Sequence, residues 1–130
     1  MRESVPRPLR DELDAPAFVA QALWSDPADS DADAALGVHG SPRGGEAVQF
    51  GRDVTEEFCR REGIKVVIRS HQFVPHGYKV YRRGHLVTVF SARNYGGVHS
   101  NDSAVILIAE DDDGNLRLRP KRLLSNRPAF

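Results

Sequence analysis

His71 follows directly on an apolar run, Val66-Val67-Ile68-Arg69-Ser70-His71, and Val87-Thr88-Val89-Phe90-Ser91-Ala92-Arg93-Asn94-Tyr95 repeats that layout further along the chain. A neutral imidazole can bind a metal ion, and a tyrosine hydroxyl can donate a hydrogen bond to an oxyanion. In α/β architectures ligands gather at the carboxyl ends of strands, where the sheet gives a rigid base and loops supply the reacting groups. His71 and Tyr95 are therefore the first candidates for one site. Spacing alone leaves a plainer alternative open, because no partner histidine or carboxylate stands at a standard short interval from His71. An ordinary hydrogen-bonded histidine at a strand end fits as well, and Tyr95 could simply pack its ring and leave its hydroxyl wet.

Ser41-Pro42-Arg43-Gly44-Gly45 sets one arginine between a proline and two glycines. The backbone there can approach a ligand closely while the guanidinium offers a fork to phosphate, although a turn followed by a surface arginine reads the same way. Asp26, in Leu23-Trp24-Ser25-Asp26-Pro27, is equally compatible with turn chemistry, and Trp24 with a place in the core. Asp29, Asp31 and Asp33 alternate like the start of a calcium loop, but Ala34 and Gly40 stand where that loop needs glycine and glutamate. The acidic run Glu110 to Asp113 before Gly114 reads as a charged hairpin turn. His39, His76, His85 and His99 fall in turn or loop contexts, and Cys59 has no paired base nearby in sequence.

The elements that must position these residues are mostly strands. Residues 1 to 15 read as an irregular lead-in. A short helix is expected around Phe18, Val19, Ala22 and Leu23, and a long loop from Ser25 to Gly45. Asp53 to Arg61 is the clearest helix, with Asp53 as its cap, Glu56 completing a capping box, Val54 and Phe58 facing inward, and Gly63 as the stop. Strands follow at Ile64 to Arg69, Tyr78 to Arg82, Leu86 to Ser91, Ala104 to Ala109 and Leu116 to Arg119, with tight turns at Arg83-Gly84 and Asp113-Gly114.

Composition narrows the classes. The 130 residues suit one modest domain or part of one, and the zero formal charge gives no global field to attract nucleic acid or an anionic membrane. The single cysteine excludes an intrachain disulfide framework. No apolar stretch approaches the roughly 20 residues of a membrane helix, and the charged, proline-broken start has no signal-peptide core. A cytoplasmic or nuclear setting is the expectation.

The order of the pieces says more than any one of them. Leu-Trp-Ser-Asp-Pro, Arg43-Gly44, Phe50-Gly51-x-Asp53-Val54, Ile68-Arg69-Ser70-His71-Gln72, Gly77-Tyr78 and Val89-Phe90-Ser91-Ala92-x-Asn94-Tyr95 together resemble the C-terminal half of a PPP-type serine/threonine phosphoprotein phosphatase, from about Leu23 to Ile108. The resemblance implies an α/β fold, part of the calcineurin-like metallophosphoesterase β-sandwich, with a helix near 53–62. It implies three segments: a lead-in over 1–22, half of a catalytic domain over 23–120, and a tail over 121–130. It also implies hydrolysis of phosphoserine and phosphothreonine esters in phosphoproteins by a metal-activated water, with two divalent or trivalent ions (Mn, Fe or Zn). By the same resemblance His71 matches a metal ligand, Arg43 the arginine that grips phosphate oxygens, and Tyr95 the tyrosine beside the metal-bound oxygen. Asp26 and Asn94 become candidates for orienting the loops around that centre.

Departures from the family pattern are equally specific. Gly-Asp-x-His-Gly, Gly-Asp-x-x-Asp-Arg-Gly and Gly-Asn-His-Glu do not occur in these residues, and Gly96 stands where many members carry a cysteine. The resemblance thus implies one metal ligand from this chain and a catalytically incomplete piece on its own, with a regulatory subunit or an N-terminal half as possible partner. Two other readings stay open: a noncatalytic phosphatase-like interaction module, and a metallophosphoesterase acting on nucleotides or small phosphate esters. A half-sandwich would also expose Val66, Ile68, Val87, Val89, Val105 and Leu107.

Overall fold

A computed structural model of the chain describes residues 17–30 and 35–125. Residues 1–16 of the lead-in, residues 31–34 with Asp31 and Asp33, and the last five residues of the tail lie outside the described residues. The chain divides into two compact units, Met1–Val54 and Thr55–Phe130, and each is taken by itself. No helix among the described residues is long and apolar enough to cross a membrane.

In the first unit α1 spans Ala17–Trp24, followed by β1 (Asp26–Pro27), β2 (Val38–Gly40) and β3 (Val48–Phe50). These strands form one small sheet in the order β1-β3-β2, with β1 parallel and β2 antiparallel to β3. The expected long loop over 25–45 therefore contains two strands. They escape sequence reading because they are two and three residues long and carry no apolar alternation. Pro27, which has no N–H, sits at the sheet edge where none is required. The Ser25 hydroxyl accepts the Val48 N–H at 3.1 Å, and Ala28 N–H donates to the Phe50 carbonyl at 2.9 Å, locking β1 to β3 from both ends.

Helix α2 covers Arg52–Glu62. Its start carries one feature beyond expectation: Asp53 lies inside the first turn, and its carboxylate accepts the distant Gly37 N–H at 2.9 and 3.0 Å as well as amides of its own turn at Asp53 and Val54. The Gly37 bond holds the Asp53 carboxyl below the usual carboxylate range. Glu56 accepts Arg83 at 3.2 Å and so serves a tertiary ion pair. The buried stripe is Thr55 and Cys59, not Val54 and Phe58, and Phe58 is 40% exposed beneath the Arg61 guanidinium. The helix stops as expected: Gly63 takes φ 65 and Ile64 N–H reaches back to the Cys59 carbonyl at 2.9 Å, the six-to-one bond of a Schellman end.

The second unit holds β4 (Val67–Arg69), β5 (Tyr78–Val80), β6 (Leu86–Val89), β7 (Ser103–Glu110) and β8 (Leu116–Leu123). β6 is the middle strand of the order β4-β6-β5, parallel to β4 and antiparallel to β5. Having neighbours on both sides, it is the deepest: Leu86, Val87 and Thr88 are all buried. The expectation that Val87 would be exposed is thus corrected, and Val66, Ile68 and Val89 are half-buried. Val105 and Leu107 on β7 do remain 44% and 51% exposed. β7 and β8 pair antiparallel from Ser103 opposite Leu123 to Glu110 opposite Leu116. Both hairpin turns form as expected, with Arg83 and Gly84 at φ 66 and 71 and Gly114 at φ 79. In the acidic turn the Asp111 carboxylate accepts Asn115 N–H at 2.7 Å and Asp113 N–H at 3.1 Å and pairs with Arg117 at 2.8 Å.

Two tests follow from this packing. Gly77 has φ 81, and a Cβ there would meet the Ser103 backbone at 2.5 Å, whereas Gly84 at φ 71 faces open space. Gly84→Ala should cost only the left-handed penalty of about 1–2 kcal/mol, and Gly77→Ala roughly 1–3 kcal/mol more from overpacking. Urea denaturation followed by circular dichroism measures both. Asp111 is held below the usual carboxylate range, first by the Asn115 N–H. Its stabilisation is therefore present above the ordinary carboxyl pKa of about 3.9 and lost as pH falls through the lower folded value. Asp111→Asn should be less stable than wild type near neutrality, and the two midpoints should converge as the pH falls below the ordinary carboxyl range; a gap independent of pH would contradict the assignment.

Candidate functional site

In the second unit the parallel pairing of β4 with β6 sets Val67 opposite Leu86 and Arg69 opposite Thr88. Both strands therefore reach their carboxyl ends at nearly one level, and the loops carrying His71 and Asn94-Tyr95 leave the sheet side by side. Both loops are backbone-strained. His71 adopts φ 70 and Asn94 φ 50, in the left-handed region that costs most non-glycine residues roughly 1–2 kcal/mol and asparagine less. Such outliers persist where the surroundings over-determine them, and they concentrate at functional sites.

Each loop has its own braces. Around His71, Arg69 Nη1 donates to Gln72 Oε1 at 3.1 Å, bridging the turn, and His71 itself is exposed. Around Tyr95 the rings cluster: Phe90 meets it edge-on at 5.1 Å, Phe73 lies at 6.3 Å, and His99 stacks at 6.4 Å with 18° between planes. Tyr95 stays 51% exposed. Gly96 and Gly97 follow with φ 64 and 74, so a residue with a side chain would be strained at either position. Asn101 was not singled out by sequence reading, yet it is 4% exposed and bonds three separate points of this loop region. Only its place in a polar, glycine-containing stretch could have drawn notice.

In the first unit Asp26 and Arg43 come together. Asp26 is 5% exposed, and its Oδ2 accepts Arg43 Nε at 2.6 Å while Oδ1 lies 3.4 Å from Nη2. The guanidinium also lies over the Trp24 ring, 5.7 Å from its centroid. One edge of the fork is thus fixed by a carboxylate and one face by an aromatic ring, a strongly oriented arrangement for a flexible side chain. Trp24 is half-buried and acts as a platform more than as core filling.

A neutral imidazole such as that of His71 suits manganese, iron or zinc. A dinuclear centre needs several nitrogen and oxygen donors, however, and among the described residues no group of three or more His, Cys, Asp or Glu side chains is placed to hold an ion. The described residues therefore do not by themselves constitute such a centre. Among the other histidines, His39 bonds the Leu36 carbonyl at 2.6 Å and His85 the Lys65 carbonyl at 3.2 Å, both local structural contacts.

A family model described as calcineurin-like phosphoesterase matches residues 3–75, more than half of the chain, and the chain belongs to that family. Within it, the similar proteins are serine/threonine phosphatases. The chain is 34% identical over 109 residues to the serine/threonine-protein phosphatase BSL2 of Arabidopsis thaliana, covering 84% of this chain and 10% of that protein. It is 41% identical over 94 residues to serine/threonine-protein phosphatase T of Schizosaccharomyces pombe, covering 72% and 19%. The solved structure of a protein serine/threonine phosphatase from Saccharomyces cerevisiae, with similarity to human phosphatase PP5, superposes with a TM-score of 0.62 at 32% identity, covering 88% of this chain and 35% of that one. The chain thus spans about a third or less of the length of these relatives, and its α/β fold is of the calcineurin-like type.

The backbone strain gives a test that separates conformation from chemistry. His71→Gly and His71→Ala both delete the imidazole, but only glycine accepts φ 70 without penalty. The glycine variant should be more stable than the alanine variant by about 1 kcal/mol, and the same order should hold at Asn94. Thermal denaturation of the four variants reads it, and equal stabilities would show that these residues are not strained in solution.

Proposed function

We propose that this chain is the C-terminal part of a metal-dependent protein serine/threonine phosphatase domain, acting on phosphoserine and phosphothreonine in phosphoproteins. The observation that carries this reading is the pair of strained loops, with His71 and Asn94-Tyr95, at the level carboxyl ends of β4 and β6. His71 would contribute one imidazole to the metal ions of the complete domain, and the chemistry those ions would supply is activation of a water. Arg43, held by Asp26 and backed by Trp24, grips phosphoryl oxygens. Tyr95 donates a hydrogen bond to an oxygen of the reacting group. Asn94 sets the entry of its loop. A reducing compartment, cytoplasmic or nuclear, suits a chain with one buried thiol.

We further propose that these 130 residues alone do not turn over and require an N-terminal half carrying the remaining ligands. The test has two arms. The purified chain with manganese should leave a phosphoserine peptide intact; metal-dependent turnover abolished by His71→Ala would overturn the claim of inactivity. Fused behind the N-terminal half of a related phosphatase, the chain should hydrolyse the peptide, and Arg43→Ala or His71→Ala should each lower the rate about 100-fold or more. A folded fusion inert towards phosphopeptides but active on nucleotides would favour a small-ester phosphoesterase instead.

A noncatalytic interaction module is the second reading, favoured by the exposure of the loop around Tyr95 and of Val98, which is 79% exposed. Stable co-purification with a phosphatase partner from native cells, with an inactive fusion, would support it.

A further inference from the structure

The loop that carries Asn94 and Tyr95 is built to be soft. Residues 91–100 are all exposed, and left-handed backbone recurs at Asn94, Gly96 and Gly97. The ring contacts of Tyr95 with Phe90 and Phe73 supply adhesion, but rings slide over one another at little cost and fix no direction. Direction needs polar bonds.

Asn101 supplies them. Its amide is 4% exposed and fully engaged: Nδ2 donates to the Ala92 carbonyl at 2.7 Å and to the Asp102 carbonyl at 2.9 Å, and Oδ1 accepts the Tyr95 N–H at 2.9 Å. The Asn101 backbone carbonyl also accepts the Asn94 N–H at 3.4 Å. A planar amide with two donors on one side and an acceptor on the other, bonded to three points, fixes the loop in distance and in rotation. The next residue extends the brace. Asp102 N–H donates to the Pro75 carbonyl at 3.0 Å, in the segment that follows His71, and its carboxylate accepts the Ser125 N–H at 2.8 Å just beyond β8. Two consecutive residues thus tie the Tyr95 loop to the segment after His71.

We propose that Asn101 is a positioning residue: it holds Asn94 in its left-handed conformation and aims Tyr95 at the end of the β4–β6 pair. This rests on the reading of Tyr95 as a phosphate-facing residue. No other side chain of similar size meets the demand. Aspartate at position 101 would lose both donors and turn an anionic oxygen towards two carbonyls, and alanine would leave the Tyr95 N–H and both carbonyls without their partner.

The experiment uses the whole chain with its three tyrosines, Tyr78, Tyr81 and Tyr95, replaced by 3-fluorotyrosine and observed by fluorine NMR. Tyr81, buried in the second unit, reports the fold. In Asn101→Asp and in Asn101→Ala the Tyr95 signal should move to the position of a solvent-exposed fluorotyrosine while the Tyr78 and Tyr81 signals stay. In the aspartate variant protonation restores one donor, so the Tyr95 signal should move partway back as the pH is lowered from about 7 to about 4.5, the range of a buried, raised carboxyl. The alanine variant should show no such return, both variants carrying His99→Gln so that no second titratable ring faces Tyr95. A Tyr95 signal unmoved in both variants overturns the proposal, because the ring contacts then suffice. Collective loss of all three signals in both variants overturns it too, because Asn101 would then be holding the fold as a whole. Failure of the phosphatase reading looks different: Tyr95→Phe would leave hydrolysis by the fusion protein undiminished while the Tyr95 signal still obeyed Asn101.

Discussion

The parallel pairing of β4 with β6 is the constraint on which the second unit depends. Parallel strands cannot be joined by a tight turn, so the chain must leave β4 at one end and return to start β6 at the other. Here it returns by way of β5 and the Arg83-Gly84 turn. The consequence is that both strands end at the same edge, with Arg69 opposite Thr88, and both following loops are delivered to one place. Every candidate residue of this unit, His71, Asn94 and Tyr95, inherits its position from that register. A slip of one residue would turn Val67 and Arg69 to the opposite face and separate the loop ends.

Hydrophobic burial alone would not make these loops specific. The buried hydrophobic set of the second unit is small, with Cys59, Val74, Tyr81, Leu86, Val87 and Ala104 as its members among the described residues. What fixes the loops is polar: the Arg69–Gln72 bridge under His71, the Ser91 hydroxyl on the Ala104 carbonyl at 2.8 Å, and the amide of Asn101. Gly77 completes the frame from below, since its missing side chain lets the Ser103 backbone approach. In the first unit the same logic appears in a charged form, where Asp26, placed by β1, holds the Arg43 fork against Trp24. Rigid side-chain placement by hydrogen bonds, on loops anchored to short strands, is what a phosphate-handling surface requires.

Much of this was legible in the sequence, and the limits have physical causes. The apolar runs at Val66 to Ile68 and at Val87 to Val89 located β4 and β6, and Gly63 marked the end of α2, because these signals are local. β1 and β2 were invisible, since a strand of two or three residues exists only through its partner in β3. Asp53 reads as a cap because caps are the commonest local use of that residue, but no local signal could show that its carboxylate also takes the Gly37 N–H, sixteen positions away. The ordered motifs picked out His71, Arg43 and Tyr95 and suggested Asp26. They could not show that Asp26 grips Arg43 at 2.6 Å or that His71 is conformationally strained. Asn101 carried no signal beyond its place in a polar, glycine-containing stretch, because its meaning lies in three bonds that only the folded loops bring together.

The account stands or falls on the strand ends being where the pairing puts them. Nuclear Overhauser contacts in the isotopically labelled chain test this directly. The expected pattern is a parallel ladder with Val67 beside Leu86, Ile68 beside Val87 and Arg69 beside Thr88, together with intraresidue contacts diagnostic of positive φ at His71 and Asn94. An absent ladder, an antiparallel one, or extended backbone at both residues would contradict the account and remove the shared edge on which the candidate site is built.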